Sequence, residues 1–287
     1  MPFSTIITNI LYGITIGATY ALIASGLSLV FGVMGVLNFA HGGLAMFGAY
    51  IGLTIFRLTG NFWFALFLAP VVVALVGGII ERFSIRRLYG QNILYTLLLT
   101  FGLSMIFSNG VLLIWGGDLH AIKLPSYFQG FVKILGLYYP KFRLFVLAFS
   151  CLLIGFIWAF LNRSRWGAVI RAGLSDIEIV EAFGINIHRV FSLLFMICSG
   201  IAAVAGVVVG AMRSVNNVMD IDFINGAFVV IVLGGLGSFK GALLGSLILG
   251  LTEAFGAQAM PGLAKFTTWA LMAVVLLLRP EGLFPEQ

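Results

Sequence analysis

The sequence predicts an all-α protein, a polytopic transmembrane helical bundle with about eight or nine membrane segments. Three observations predict this fold class. Hydrophobic residues make up 61% of the chain and charged residues only 9%, whereas a soluble domain has about 25% charged residues. No Lys, Arg, Asp or Glu precedes Arg57. The long apolar stretches do not alternate between apolar and polar residues, as the strands of a membrane barrel would.

The charge-free N-terminal stretch must fold back on itself. As one helix, residues 1–56 would be about 84 Å long, against a hydrocarbon core of roughly 30 Å. The apolar runs that follow one another along the chain are residues 5–33, 39–56, 63–80, 93–115, 144–160, 190–212, 223–236, 242–259 and 263–278. The runs 223–236 and 263–278 are short, so we expect one of them to be a half-helix or to depend on its neighbours.

Basic residues orient the predicted spans, because Lys and Arg are enriched on the cytoplasmic side. Two arginine clusters mark cytoplasmic loops: Arg82, Arg86 and Arg87 in the first, and Arg163, Arg165, Arg171 and Arg189 in the second. Arg279 places the C-terminus inside, and residues 116–143 are then outside. Nine full crossings would put the N-terminus outside, whereas a re-entrant early segment would put it inside. The net charge of +6 fits these loops, and no nucleic acid is expected as a partner.

The small and the reactive residues predict packing rather than chemistry. Glycines recur at a spacing of four: Gly13 and Gly17, Gly48 and Gly52, Gly206 and Gly210, and Gly241 and Gly245. Such pairs let helices approach closely in lipid, within one chain or at a subunit interface. Cys151 and Cys198 lie inside apolar runs, and no histidine pair has metal-ligand spacing. We therefore expect no metal site and no cofactor.

A polar segment, residues 161–189, is predicted to be a cytoplasmic loop within a single domain of residues 1–287. Ser175 and Glu178 have the spacing of a capping box, in which each side chain accepts from the backbone amide of the other. Asp176 adds favourable negative charge at the same helix end. The pattern predicts a short helix of residues 176–183.

The end of this short helix is also encoded. Gly184 suits the left-handed conformation after a helix, and Ile185 then reaches back to Val180. The apolar residues Ile177, Val180 and Phe183 are three apart and are expected on one face. Because so short a helix is unstable alone in water, this face must be covered. Two covers remain open: the helix ends of the same chain, or a groove on a soluble partner.

Two polar features fall inside the apolar runs. Asn38 and His41 belong to a break in the helices, which either is a structural turn or lines a solute path. Glu253 is an ionisable group in an apolar run, so it is either paired, with Lys240 or Lys265, or part of a gate or path. Asp220 and Asp222 are expected at the outer mouth.

Four stretches carry a resemblance to a known family. Residues 26–42 read GLSLVFGVMGVLNFAHG, residues 232–238 read VLGGLGS and residues 279–284 read RPEGLF. These stretches look like the signatures of the branched-chain amino-acid permeases of ATP-binding-cassette importers, and the chain is most similar to the shorter, LivH-type partner. Residues 171–185 resemble the cytoplasmic coupling motif of such permeases, with Phe183 where the broader pattern often has Ala.

The resemblance implies a permease subunit in a bacterial inner membrane that forms half of a path for branched-chain amino acids or similar small polar solutes. It implies ABC ATPase subunits, a second homologous permease subunit and a periplasmic solute-binding protein as partners. The ATPase-coupling residues would be Arg171, Ser175, Asp176, Ile177, Glu178, Val180, Glu181, Ala182, Phe183, Gly184 and Ile185. The substrate-pathway residues would be Asn38, Phe39, His41, Gly42 and Glu253.

The energy source separates the alternatives. Residues 234–240 are the nearest approach to a phosphate-binding loop, but Phe239 precedes Lys240 and no Ser or Thr follows. The chain is therefore not expected to be an enzyme, and energy must come from a partner ATPase or an ion gradient. The rival interpretation is an ion-coupled secondary transporter or channel that acts without an ATPase. That rival calls for several intramembrane carboxylates, of which Glu253 is the one strong candidate.

Overall fold

The computed structural model describes residues 3–134, 136–175, 177–259 and 261–284. These residues form a bundle of helices, so the predicted fold class is confirmed. The α-helices are α1 (Phe3–Met34), α2 (Ala40–Thr59), α3 (Phe62–Phe83), α4 (Ile93–Trp115), α5 (Lys141–Arg163), α6 (Arg165–Ser175), α7 (Ile177–Ala182), α8 (Ile187–Met212), α9 (Met219–Gly234), α10 (Phe239–Ala259) and α11 (Ala264–Leu278).

A small β-hairpin interrupts the helical pattern between α4 and α5. Strands β1 (Phe131–Ile134) and β2 (Leu137–Pro140) pair antiparallel, with Phe131 opposite Pro140. Gly136 lies in the turn with a φ of +85°, a left-handed conformation that favours glycine. The sequence analysis did not predict these strands, because four residues are too few to establish an alternating pattern.

The expected number of about eight or nine spans is higher than the structure supports. Within the described ranges, 7 helices are long and apolar enough to cross a membrane: α1, α2, α3, α4, α5, α8 and α10. Helix α9 has 16 residues and α11 has 15. At 1.5 Å per residue these two are about 24 Å and 22 Å long, less than the roughly 30 Å of a hydrocarbon core. Both of the runs from which a half-helix was expected therefore form helices shorter than a full span.

The two arginine clusters lie at one end of the bundle. Arg86 follows α3 and donates to the carbonyl of His188, at the start of α8, over 3.4 Å. This contact joins the loop after α3 to the first turn of α8, which contains Arg189 of the second cluster. We call this end, with residues 82–92 and 161–189, the arginine-rich end.

The first helix begins at the opposite end of the bundle. Asn9 in its early turns donates to Gln258, near the end of α10. The Tyr139 hydroxyl of the hairpin donates to the Leu11 carbonyl over 3.1 Å. At the other end of α1, Gly32 packs against Gly237, just before α10. Gly32 and Gly237 line one pocket with Leu161 and Arg171 of the arginine-rich end, so the described chain starts opposite that end.

Glycines allow the closest helix contacts. A Cβ atom on Gly17 would lie 2.9 Å from the Ser246 carbonyl oxygen of α10, and one on Gly48 would lie 2.5 Å from Ala203 of α8. Both distances are shorter than real Cβ contacts, so only glycine fits. The predicted close packing is confirmed, and these pairs serve it within the chain.

Candidate solute pathway and coupling segment

The break between α1 and α2 is closed by bonds to other helices. The amide of Phe39 donates to the Thr100 hydroxyl of α4 over 3.2 Å, and that hydroxyl donates to the Leu37 carbonyl over 3.0 Å. His41 Nε2 lies 3.0 Å from the Ile23 carbonyl oxygen of α1. Broken backbone at membrane depth needs such partners. These bonds fix where α2 begins, whereas the Asn38 side-chain amide and His41 Nδ1 have no hydrogen-bond partner among the described residues.

The predicted pathway residues of this break are buried against α9. Asn38 and His41 are each 1% exposed. A Cβ atom on Gly42 would lie 2.3 Å from the Asp220 carbonyl oxygen, and the Phe39 ring lies 6.1 Å from that of Phe228. These residues pack behind α9 and do not belong to the lining of the cavity described next. Their role in transport stays a prediction, and here they position α9.

A cavity of about 560 Å³ opens at the end opposite the arginine-rich end. It is lined by α1, α9, α10 and α11, with one residue each from α5 and the end of α8. The lining comprises Asn9, Tyr12, Ile16, Tyr20, Arg143, Arg213, Asp222, Asn225, Gly226, Val229, Glu253, Ala254, Ala257, Gln258, Thr268 and Trp269. Val229 lies ten residues, or about 15 Å, along α9, so the cavity reaches well into the bundle.

Glu253 lies in the wall of this cavity and has a partner that the sequence analysis did not predict. The Tyr20 hydroxyl of α1 donates to Glu253 Oε1 over 2.9 Å. Lys240 was an expected partner, but it lies at the other end of α10, about 20 Å away along the helix. The side chain of Lys265, the other expected partner, lies outside the described residues. The predicted pairing of Glu253 with Lys240 is therefore wrong.

The remaining charges of the cavity come from its rim. The Arg143 guanidinium lies 4.3 Å from the centre of the Tyr12 ring, a cation–π contact. Arg213 follows α8, and Asp222 stands in the first turn of α9. Asp222 is exposed, as expected for the outer mouth, whereas Asp220 is buried. The described residues of the lining thus include two cationic and two anionic side chains.

A second, narrower cavity of about 160 Å³ adjoins the first. The two share Ile16, Tyr20, Arg213 and Asp222. The rest of the narrower lining is mainly apolar: Ile23, Val209, Met212, Met219 and Phe223, with Thr19, Ser214 and Asn216.

The end of α7 has the geometry that the sequence predicts. Gly184 has a φ of +76°. Its amide donates to the Glu181 carbonyl over 2.8 Å, and the Ile185 amide donates to the Val180 carbonyl over 3.4 Å. These two bonds define a Schellman motif. The helix ends at Ala182, one residue before the predicted end at Phe183.

The start of this helix was predicted from a capping box. That prediction depends on Asp176 and on the side chains of Ser175, Ile177 and Glu178, which lie outside the described residues. Arg171, one turn earlier, donates to the Leu161 carbonyl near the end of α5. This bond ties α6 to the helix that precedes it.

Two apolar residues of the predicted face of this helix differ in exposure. Val180 is 3% exposed and belongs to the hydrophobic core, whereas Phe183 is 81% exposed. Ile185 packs beside the core, and Glu181 and Ala182 are exposed. The side chain of Ile177, the third residue of the predicted face, lies outside the described residues, so the single face stays a prediction. The chain itself covers Val180 and leaves residues 181–183 open to a partner.

A buried carboxylate lies beside this segment. Glu81, in the last turn of α3, is fully buried and accepts from the Arg86 guanidinium over 3.0 Å and from the Tyr89 hydroxyl over 2.8 Å. Ser192 of α8 also donates to it. Burial, followed by the Glu81 charge, raises the pKa of Tyr89, so its hydroxyl stays a donor. The network joins α3, the loop after it and α8.

The signature stretches 232–238 and 279–284 contact each other at the arginine-rich end. The Leu283 amide donates to the Leu233 carbonyl over 2.8 Å, and the Phe284 amide donates to the Gly234 carbonyl over 3.0 Å. These carbonyls end α9 and have no partner within the helix. Gly282 has a φ of +87° and lies against Gly235. The segment after α11 therefore caps α9.

A bundle of membrane helices with a charged cavity at one end and an exposed short helix at the other defines a multi-pass membrane permease. The chain belongs to the family described as branched-chain amino acid transport system, permease component, whose model matches residues 9–278. Family membership confirms the resemblance to the branched-chain amino-acid permeases.

Individual relatives cover nearly the whole chain. It is 36% identical to the high-affinity branched-chain amino acid transport system permease protein BraD of Pseudomonas aeruginosa, over 94% of this chain and 93% of that protein. It is 34% identical to the corresponding permease protein LivH of Escherichia coli strain K12, over 94% and 92%. The structure of PsaBC from Streptococcus pneumoniae in complex with Fab shares the fold, with a TM-score of 0.53, 13% identity and coverage of 96% and 92%.

Proposed function

We propose that this chain is one of two permease subunits of an ATP-driven importer of branched-chain amino acids. The observation that carries the proposal is the placement of two features at opposite ends. A cavity with two cationic and two anionic side chains opens at one end, and the exposed residues 181–183 follow a core-anchored Val180 at the other. The substrate is the one named for the BraD and LivH relatives.

The arginine-rich end faces the cytoplasm of a bacterium, because Lys and Arg are enriched on that side of a membrane. The inner membrane then holds the bundle with α1 starting outside. The cavity faces the periplasm, where a solute-binding protein delivers its cargo. Residues 161–189 are the cytoplasmic coupling segment.

Coupling runs through α7 into α8. Closure of the two ATPase subunits on ATP displaces α7, and the displacement reaches α8 through a two-residue turn after Gly184 and the buried Ile187. Arg86 and Ser192 bind the same Glu81 carboxylate, so α3 moves with α8. The permease needs only a difference in contact between two states, not tight binding of the solute.

A second permease completes the pathway. Asn225, Gln258 and Trp269 line the cavity and are exposed on this chain. Polar groups at membrane depth are costly when they face lipid, so a protein surface must cover this side. A homologous permease subunit supplies that surface and the other half of the path.

Reconstitution tests the proposal. The chain is coexpressed with the second permease, the ATPase subunits and the binding protein, and the purified complex is placed in liposomes. We expect uptake of labelled leucine that requires internal ATP and persists when ionophores abolish ion gradients. Uptake by this chain alone, or uptake driven by an ion gradient without ATP, would contradict the proposal and favour the secondary transporter.

A further inference from the structure

We propose that the two adjoining cavities form a transit site for a zwitterionic aliphatic amino acid. Arg213 and Asp222 bind its carboxylate and its ammonium group where the cavities meet, and the narrower cavity receives its side chain. This inference rests on the proposed function and deepens it by assigning the specificity of the path to named residues.

The position of the charges comes first in the argument. Arg213 and Asp222 are the charged residues that the described linings of both cavities share. Arg213 directly follows the last residue of α8, and Asp222 lies in the first turn of α9. The α-carboxylate and α-ammonium of an amino acid are held a fixed, short distance apart. A guanidinium and a carboxylate at one junction offer both of the charge-assisted hydrogen bonds that such a group needs.

The balance of charge selects a net-neutral solute. Arg143 and Arg213 oppose Asp222 and Glu253 in the larger cavity. A zwitterion adds no net charge to this balanced set. An acidic or basic amino acid brings one extra charge, and the described residues of the lining have no surplus charge of the opposite sign to pair with it. Neutral amino acids are therefore favoured over charged ones.

The narrower cavity supplies the apolar part of the site. Its volume of about 160 Å³ is less than a third of the volume of the larger cavity, about 560 Å³. Ile23, Val209, Met212 and Phe223 contribute apolar wall. A branched aliphatic side chain of three or four carbons gains by leaving water for such a space. The junction residues then fix which end of the solute enters it.

Two kinds of substitution separate the two parts of the site. In the complete complex in liposomes, we expect Asp222→Asn and Arg213→Gln each to lower the uptake of both leucine and valine at least tenfold. Val209→Phe narrows the apolar cavity, and we expect it to lower leucine uptake at least tenfold and valine uptake less than threefold. The conservative variant Asp222→Glu should retain at least a third of wild-type uptake.

A matched control is available on the same side of the membrane. Asp118 is exposed and lies outside both cavity linings, so Asp118→Asn makes the same chemical change as Asp222→Asn away from the site. Copurification with the ATPase subunits and the unfolding temperature of each complex report assembly. Should Asp222→Asn fail to assemble, Arg213→Gln and Val209→Phe test the two parts independently.

The outcomes distinguish the inference from the proposed function. Wild-type uptake of leucine with unaffected Asp222→Asn and Arg213→Gln variants would overturn the transit site and leave the importer assignment intact. Equal losses for leucine and valine in Val209→Phe would overturn the apolar part. A wild-type complex that hydrolyses ATP but moves no branched-chain amino acid would overturn the proposed function itself.

Discussion

The hydroxyl of Tyr20 donates a 2.9 Å hydrogen bond to the carboxylate of Glu253, and this bond joins α1 to α10 in the wall of the cavity. Both residues belong to the larger cavity. The bond links two helices that otherwise meet mainly through glycines and small side chains.

Removal of the Tyr20 hydroxyl should weaken this wall. Tyr20→Phe removes one donor to a carboxylate, and such bonds contribute about 1.5–3 kcal/mol. Because Glu253 is partly exposed, we expect a loss of about 1 kcal/mol, seen as a fall of a few degrees in the unfolding temperature of the purified complex. Glu253→Gln keeps an acceptor at the same place and should be milder. Equal stability of Tyr20→Phe and wild type would contradict the structural role of this bond.

The glycine contacts predict sharp size limits. Gly48→Val would place a Cβ atom 2.5 Å from Ala203 and force α2 away from α8. Overpacking of this kind typically costs about 1–3 kcal/mol and at times more. We expect Gly48→Val to reduce the yield of folded protein severalfold in detergent extraction. Gly102 has nothing within 4 Å of an added Cβ, so Gly102→Ala should match wild type. A normal yield of Gly48→Val would show that α2 and α8 pack differently.

Substitutions of buried and of exposed residues in the coupling segment should cause two different defects. Val180→Asp buries a charge in the core, so it should lower stability by about 3 kcal/mol or more and prevent assembly. Phe183→Ala removes only an exposed ring, so the chain should fold while its copurification with the ATPase falls at least tenfold. Glu181→Lys should act in the same way. Full ATPase recovery with both exposed variants would refute docking at residues 181–183.

Removal of the ion-pair partner of Glu81, the buried carboxylate in the last turn of α3, should lower the stability of the protein. Arg86→Met leaves the Glu81 charge without its ion pair, and loss of one partner of a buried pair costs about 3–5 kcal/mol. Since Arg86 is itself partly exposed, we expect about 2–3 kcal/mol in thermal unfolding of the complex. Arg87→Met changes a neighbouring arginine outside this network and serves as the control. Similar unfolding temperatures for the two variants would contradict the network.

Local features were predictable from the sequence, and distant pairings were not. Gly184 and Ile185 are adjacent to the helix they end, so their pattern alone predicts the Schellman motif. The small length of the apolar runs 223–236 and 263–278 could also be counted directly along the sequence. Tyr20 and Glu253 are 233 positions apart, and Ser192 and Glu81 are 111 apart. Such partners depend on which helices pack together, and uniformly apolar helices carry little information about their neighbours. The exposure of Phe183 depends equally on where the chain turns after α7.

The two bonds that Leu283 and Phe284 make to the last carbonyls of α9 constrain how the cavity can change shape. They fasten the C-terminal end of α11 to that of α9, so these two walls have little freedom to separate at the arginine-rich end. A Cβ atom on Gly245 of α10 would lie 2.7 Å from the Val230 carbonyl oxygen of α9, so α9, α10 and α11 are all held together near this end. A change in the shape of the cavity should therefore be larger at its open end than at its closed end.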